Sequence, residues 1–392
     1  MRVLNSQKRS LGEADMAKAK RQANYELLRI LAMFMVVTLH YLNHTGALLV
    51  LGEDADTRRL LGTLLESFCI VAVNVYVLIS GYFLVEADWK IKRIINLICQ
   101  VLFYTILIPL VFVLTGLPGK EVILEGGIYR WIQYLFPIGT EHYWFVTSYV
   151  LLYLFAPLLN AAVKGLSRKQ LQVVICGLLL FFCIGKSFSP VQLVTDRFGY
   201  DFGWFLCMYL VAAYLRLHGE RLLSGKRWAW LIYIGSTFVV FAFVAGIYYI
   251  NKVTGGLVYY FTVPFHYNFI LVLTASIALF VAFSSVKVPE KAARIVYTIS
   301  PYTFGVYLFH EHIDIRMEWA GWMEKLFGPA KGYGIAGFLL HLLGSVLIIY
   351  GIGILIDWIR SRIFSCVKRR ITRMKLMQWL SGLDKVFTGQ RG

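Results

Sequence analysis

The chain has 392 residues, of which 58% are hydrophobic and only 16% charged, and its mean hydropathy is +0.65. Soluble domains carry about 25% charged residues, so an ordinary water-soluble core is excluded and a bilayer is the solvent this composition fits. The net charge of +17 sits in short caps between apolar runs, which points to membrane topology and away from nucleic acid.

Residues 1–22 are polar and basic, with Lys8, Arg9, Lys18, Lys20 and Arg21. The apolar run that follows is of full spanning length, which predicts a permanent first helix and not a cleaved signal peptide. Hydropathy and length predict about ten spans: Tyr25 to Asn43, Leu61 to Leu84, Ile94 to Leu117, Tyr143 to Val163, Leu171 to Gly185, Gly203 to Leu217, Trp228 to Ile250, Leu257 to Phe283, Ile295 to His310 and Ile335 to Ile359. The fifth and sixth are short. With the N-terminus inside, 28 of the 39 Lys and Arg fall in inner segments, 10 in outer ones, and Arg29 lies within a span. The positive-inside rule therefore predicts both termini in the cytosol. The expected fold class is an all-α polytopic membrane bundle over 23–360, between a basic segment 1–22 and a basic amphipathic tail 361–392 suited to anionic lipid. The six cysteines (Cys69, Cys99, Cys176, Cys183, Cys207, Cys366) form no close-spaced motif and read as free thiols.

Three stretches can carry chemistry. In the first span Arg29 and His40 are eleven residues apart, which is three helical turns plus about 20°, so both lie on one stripe roughly 16 Å apart along the axis. Ionisable groups in a span normally face a cavity or a partner. Pairing of Arg29 with Glu26 at the cytosolic interface is the plainer alternative for that residue. In the second span Ser80-Gly81-Tyr82 should lie level with Arg29, and Glu66 level with His40, where it could orient the imidazole. The third stretch is Glu141-His142-Tyr143-Trp144, at the outer end of the fourth span, where aromatic side chains serve either as a membrane belt or as a sugar platform. His40, His44, His142, His266, His310, His312 and His341 all fall toward outer ends of spans, and neutral imidazole is the natural base near neutral pH. His40 and His44 share the i, i+4 spacing of metal ligands, but spacing identifies no third ligand, and no metal site is expected. No P-loop, dinucleotide fingerprint or nucleophile elbow occurs. These residues alone do not separate an enzyme from a transporter.

The Arg29 to His40 spacing resembles the signature of acyltransferase family 3, integral membrane enzymes of bacteria that modify cell-surface glycans and related acceptors. Asn74-Val-Tyr-Val-Leu-Ile-Ser80-Gly81-Tyr82-Phe83 is similar to that family's second-helix run, with Asn74 where Asp is frequent and Tyr82 where Phe is usual. His142-Tyr143-Trp144-Phe145 with Tyr153 and Pro157 resembles its Trp-Phe helix. Ser300-Pro-Tyr-Thr-Phe-Gly305-Val-Tyr307-Leu-Phe-His310 resembles its late Gly-x-Tyr-x-x-His stretch. The resemblance implies a multi-pass O-acetyltransferase of the bacterial cytoplasmic membrane. It would have no permanently bound cofactor, cytosolic acetyl-CoA as donor, and a hydroxyl of a surface polysaccharide or its lipid-linked precursor as acceptor. In that frame His40 acts as base or transient acyl carrier with Arg29 and Glu66 (or Glu141) in support. Arg29, Ser80, Gly81 and Tyr82 meet the donor, and Glu141, His142, Tyr143, Trp144, Tyr307 and His310 line the acceptor side. The competing expectation is a glycan-precursor flippase without chemistry, which the lack of an internal repeat disfavours.

Overall fold

The computed structural model describes residues 22–116, 120–140, 142–194, 196–224 and 226–371, with Gly382 and Asp384. Among these residues every regular element is a helix and there is no strand. That is the outcome a bilayer imposes, because a helix satisfies its backbone polar groups within its own segment. Among the described residues, eight helices are long and apolar enough to cross a membrane. In chain order the principal elements are α1 (Ala23–His44), α2 (Thr57–Leu84), α3 (Ile91–Thr115), α4 (Trp144–Gly165), α5 (Arg168–Phe188), α6 (Phe202–His218), α7 (Lys226–Thr254), α8 (Val258–Ser284), α9 (Glu290–Ile299), α10 (Thr303–His310), α11 (Trp319–Phe327) and α12 (Ile335–Ile371).

The ten expected spans all occur as helical segments, but two of them fall outside the set of eight. The sixth, α6, has only 17 residues, fewer than the roughly 20 that span a bilayer unaided. The ninth is divided into α9 and α10 by a 3-10 turn at Ser300–Tyr302, where Pro301 removes a backbone donor. The fifth is longer than expected. Ser167 and Gln170 form a reciprocal cap that starts α5 early, and a π turn at Leu180–Ile184 carries it on to Phe188. The last helix passes residue 360 unbroken and continues to Ile371. The rest of the expected amphipathic tail, apart from Gly382 and Asp384, and nearly all of the basic segment 1–22 lie outside the described residues.

Burial sorts the helices. Within their most apolar windows α1, α2 and α8 are 67%, 83% and 72% buried, whereas α5 and α7 are only 22% and 28% buried. The first group forms the centre of the bundle and the second its lipid-facing wall, so the ionisable residues of α1 and α2 face protein. α1 is packed against α2, α8, α9, α10 and α12. The α10–α12 contact is very close. A Cβ on Gly305 would lie 2.3 Å from the Asp357 Cβ and 2.6 Å from the Tyr104 hydroxyl. Asp357 is fully buried there and accepts from Gln100 Nε2 (2.9 Å), Tyr104 Oη (3.1 Å) and Arg360 Nε (2.7 Å). A small residue is thus required for this polar knot to sit against α10.

Gly305→Ala should therefore destabilise the bundle by about 1–3 kcal/mol, the usual cost of overpacking. Gly321→Ala, which meets nothing within 4 Å, should not. Thermal unfolding of the two variants in detergent measures the difference.

Candidate active site

Two cavities lie one above the other along the same three helices. The lower, of about 570 Å³, is lined by Glu26 and Arg29 of α1, Ser80 of α2, Tyr149 of α4, and Arg93 and Gln100 of α3. The upper, of about 60 Å³, is lined by Met33, Val36 and His40 of α1, Val73 and Tyr76 of α2, and Trp144 and Phe145 of α4, with Tyr200, Tyr267, Phe304 and Tyr307. Arg29 and Met33, Ser80 and Tyr76, and Tyr149 and Phe145 are each one helical turn apart, so each helix contributes to both chambers on one stripe. Phe145 and Tyr149 stack with ring centroids 6.2 Å apart.

Arg29 makes the ion pair that its spacing allows, with Nη1 3.1 Å from Glu26 Oε2, and still lines the lower chamber. Ser80 shares that chamber with it, at the level the antiparallel register predicts. Gly81 is turned to another use: a Cβ there would lie 2.9 Å from the Ala212 Cβ, so it seats α2 against α6. Tyr82 is buried among Tyr25, Phe83 and Phe280 and lies under the Arg216 guanidinium. Arg93, which the sequence offers only as a topological charge, joins Arg29 in the lower chamber.

The upper chamber is organised by three groups on two elements. The His310 Nδ1 lies 2.6 Å from the Val306 carbonyl. A carbonyl only accepts, so this nitrogen carries a proton and the Nε2 of the neutral ring is an acceptor. The His40 Nδ1 lies 2.9 Å from that Nε2 and 3.1 Å from Glu311 Oε1. It must therefore donate, which leaves the lone pair of neutral His40 on Nε2. One backbone carbonyl thus dictates the tautomer of a base on a different helix. The carboxylate beside His40 is Glu311, one residue past the late His stretch, and not Glu66. Glu66 is buried, with Oε2 unpartnered, within electrostatic reach of Tyr200 and Tyr267. Glu141 lies outside the described residues.

The other outer residues divide between chamber and support. Trp144 and Tyr307 line the chamber. Tyr143 is fully buried and donates to the Leu308 carbonyl at 2.6 Å, tying α4 to α10. His142 packs on His312 with centroids 4.6 Å apart, beside Tyr134, which donates to Asp314 at 2.8 Å. Burial pushes His142 down to about 3 and His312 well below its ordinary value, and the Arg130 and Arg316 charges push the same way. Asn74 explains its own identity. Its Nδ2 donates to the Tyr267 carbonyl at 2.8 Å while its Oδ1 accepts from Trp204 Nε1 at 2.8 Å. An aspartate at this position supplies the acceptor but not the donor.

These positions coincide with the segments by which the sequence resembles a known family. The acyltransferase domain of acyltransferase family 3 matches residues 22–358. The chain belongs to that family. It is a multi-pass membrane protein and a transferase enzyme that moves an acyl group to an acceptor, which sets aside the transporter reading. No curated protein and no solved structure matches it.

Two outcomes follow for this acyltransferase. Asn74→Asp should lose the bond that holds the Tyr267 backbone and cost about 1–3 kcal/mol, read as a lower unfolding temperature, with Asn74→Ala at least as destabilised. His142 and His312 stay neutral when folded but titrate near 6.5 when unfolded. The unfolded chain then binds more protons below that pH, so stability falls on acidification by up to about 1.4 kcal/mol per pH unit and imidazole. Unfolding followed from about pH 7.5 to about pH 5 should show this slope, and His312→Gln should flatten it.

Proposed function

We propose that this acyltransferase is an O-acetyltransferase of the bacterial cytoplasmic membrane. It carries acetyl from cytosolic acetyl-CoA to a hydroxyl of a surface polysaccharide or its lipid-linked precursor. The chain crosses the membrane ten times, with α6 and the α9–α10 pair as the two short crossings, and both termini are cytosolic. The bundle over 23–360 carries the reaction, and the basic segments 1–22 and 361–392 flank it.

The observation that carries this reading is the pair of chambers on one seam, with Arg29 in the lower and His40 in the upper. The lower chamber is large and holds Arg29 and Arg93, whose guanidinium groups suit donor phosphates. The separation from Arg29 to His40, roughly 16 Å of helix rise, is of the order a thioester arm must bridge. The upper chamber, about 60 Å³, is far smaller than the lower one of about 570 Å³. That size suits an acetyl group and a single hydroxyl better than a long acyl chain.

The chemistry follows from the tautomer. His40 Nε2 takes the proton of the acceptor hydroxyl as its oxygen attacks the thioester carbonyl. The C–S bond breaks, and the imidazolium returns that proton to the departing thiolate. Glu311 and His310 hold the ring, and Glu311 stabilises the imidazolium formed in between, the role a carboxylate plays beside any catalytic histidine. Trp144 and Tyr307 confine the reacting groups.

The test is transfer of label from radiolabelled acetyl-CoA to cell-envelope glycan by membranes holding equal amounts of each variant. His40→Ala should lower transfer by about 10²–10⁴-fold. Arg29→Ala should chiefly raise the KM for acetyl-CoA. Full activity in a normally inserted His40→Ala protein would overturn the assignment of the base.

A further inference from the structure

Spacing along α1 offers only His44 as a second ligand beside His40, but the fold supplies a different set. His40 Nδ1, His310 Nε2 and a Glu311 carboxylate oxygen lie within 4.8 Å of one another, with separations of 2.9 Å and 3.1 Å measured from His40. We propose that His40, His310 and Glu311 form a binding site for a divalent transition-metal ion, zinc by preference, and that the ion switches the enzyme off.

Three features favour a cation of this class. The donor set is two imidazoles and one carboxylate, which suits zinc. Around a tetrahedral zinc with bonds of about 2.0–2.1 Å, neighbouring donor atoms stand about 3.3 Å apart, so the two pairs measured from His40 need to spread by only a few tenths of an ångström. The Nδ1–H of His310 is already held by the Val306 carbonyl at 2.6 Å. This is the outer hydrogen bond that metal-ligating histidines ordinarily make, and it presents Nε2 to the ion. The site is not sealed, since the His40 and Glu311 side chains keep 28% and 16% of their surface exposed. His44, half-buried and perpendicular to the Trp319 ring, stands outside the set.

The consequence for activity comes from proton bookkeeping on one ring. In the metal-free triad His40 carries its proton on Nδ1 and keeps the Nε2 lone pair. Coordination needs the Nδ1 lone pair, so the single proton of neutral imidazole moves to Nε2. No proton enters or leaves, but the base that faces the chamber becomes a donor and cannot accept the proton of a hydroxyl. Only this consequence rests on the transferase reading; the site itself does not.

The test uses the full chain purified in detergent, stripped with a chelator, equilibrated with ZnCl₂ at low micromolar concentration and desalted. Elemental analysis should find about one zinc per chain, and retention should fall more than about tenfold in both Glu311→Gln and His310→Ala. Cobalt loaded in the same way should give the visible absorption of a tetrahedral ion in the wild type and not in either variant. With the unmodified protein, zinc should abolish acetyl transfer and a chelator should restore it. No retained zinc, or equal retention in both variants, overturns the site. Retained zinc with transfer unimpaired overturns the switch. Retention and the cobalt spectrum need no turnover, so a failure of the transferase reading would not be mistaken for a failure of the site.

Discussion

The hydrogen bond from His310 to the Val306 carbonyl is the constraint on which the proposed chemistry of this bundle depends. In a helix core the alternatives to a satisfied polar group are costly, because hydrocarbon offers no partner. An imidazole buried at the end of α10 therefore binds the nearest acceptor, a carbonyl one turn back on its own helix. That local choice leaves one acceptor nitrogen pointing at α1, and His40 has only one way to meet it. The base is set by satisfying its neighbours.

The same requirement explains where the polar residues lie. The helices that carry Arg29, His40, Glu66 and Asn74 are, with α8, the most buried of the candidate spans, while α5 and α7, on the lipid side, are mostly apolar. Polar groups in the centre then occur in linked sets: Glu26 with Arg29, Asn74 with Trp204 and the Tyr267 backbone, Asp357 with Gln100, Tyr104 and Arg360. The first lies within α1, and the other two join helices that apolar packing alone would not register, since lipid and leucine compete on nearly equal terms for an apolar face. The close approach at Gly305 lets one of these sets lie directly behind α10 and fix the element that carries His310.

Much of this was legible in the sequence, for reasons that also mark its limits. The shared stripe of Arg29 and His40 follows from helical periodicity alone, and so does the level of Ser80 across the hairpin, because both depend only on rise and rotation per residue. Glu311 was not legible. It falls just beyond the end of α10, where the backbone leaves helical geometry and spacing no longer gives direction. Its only sequence signal is adjacency to the last His of a motif. Glu66 had the expected depth on α2 but was offered as the partner of His40 because depth says nothing about rotation between two helices. Gly81 turns away for the same reason: Ser80 faces the chamber, and its neighbour, about 100° round the helix, faces α6. Asn74 looked like the loss of a charge, whereas the structure makes it the gain of a donor, which could be seen only once a carbonyl and an indole were brought to its two sides.

The coupling of local and long-range structure has a further consequence. The Val306 carbonyl serves both the helix, through the His310 backbone N–H at i, i+4, and the His310 ring, using its two lone pairs. The tautomer of His310 is thus encoded within one turn and survives small shifts of α10 against its neighbours. The tautomer of His40 is not encoded in α1 at all. It exists only while α10 and the residue that follows it hold their place against the first helix. A bundle that loosens at this contact keeps every residue of its signature and loses the oriented lone pair. In the proposed mechanism the residues that hold α10, Gly305 against Asp357 and Tyr143 on the Leu308 carbonyl, therefore act as positioning groups, although none of them need touch the substrate.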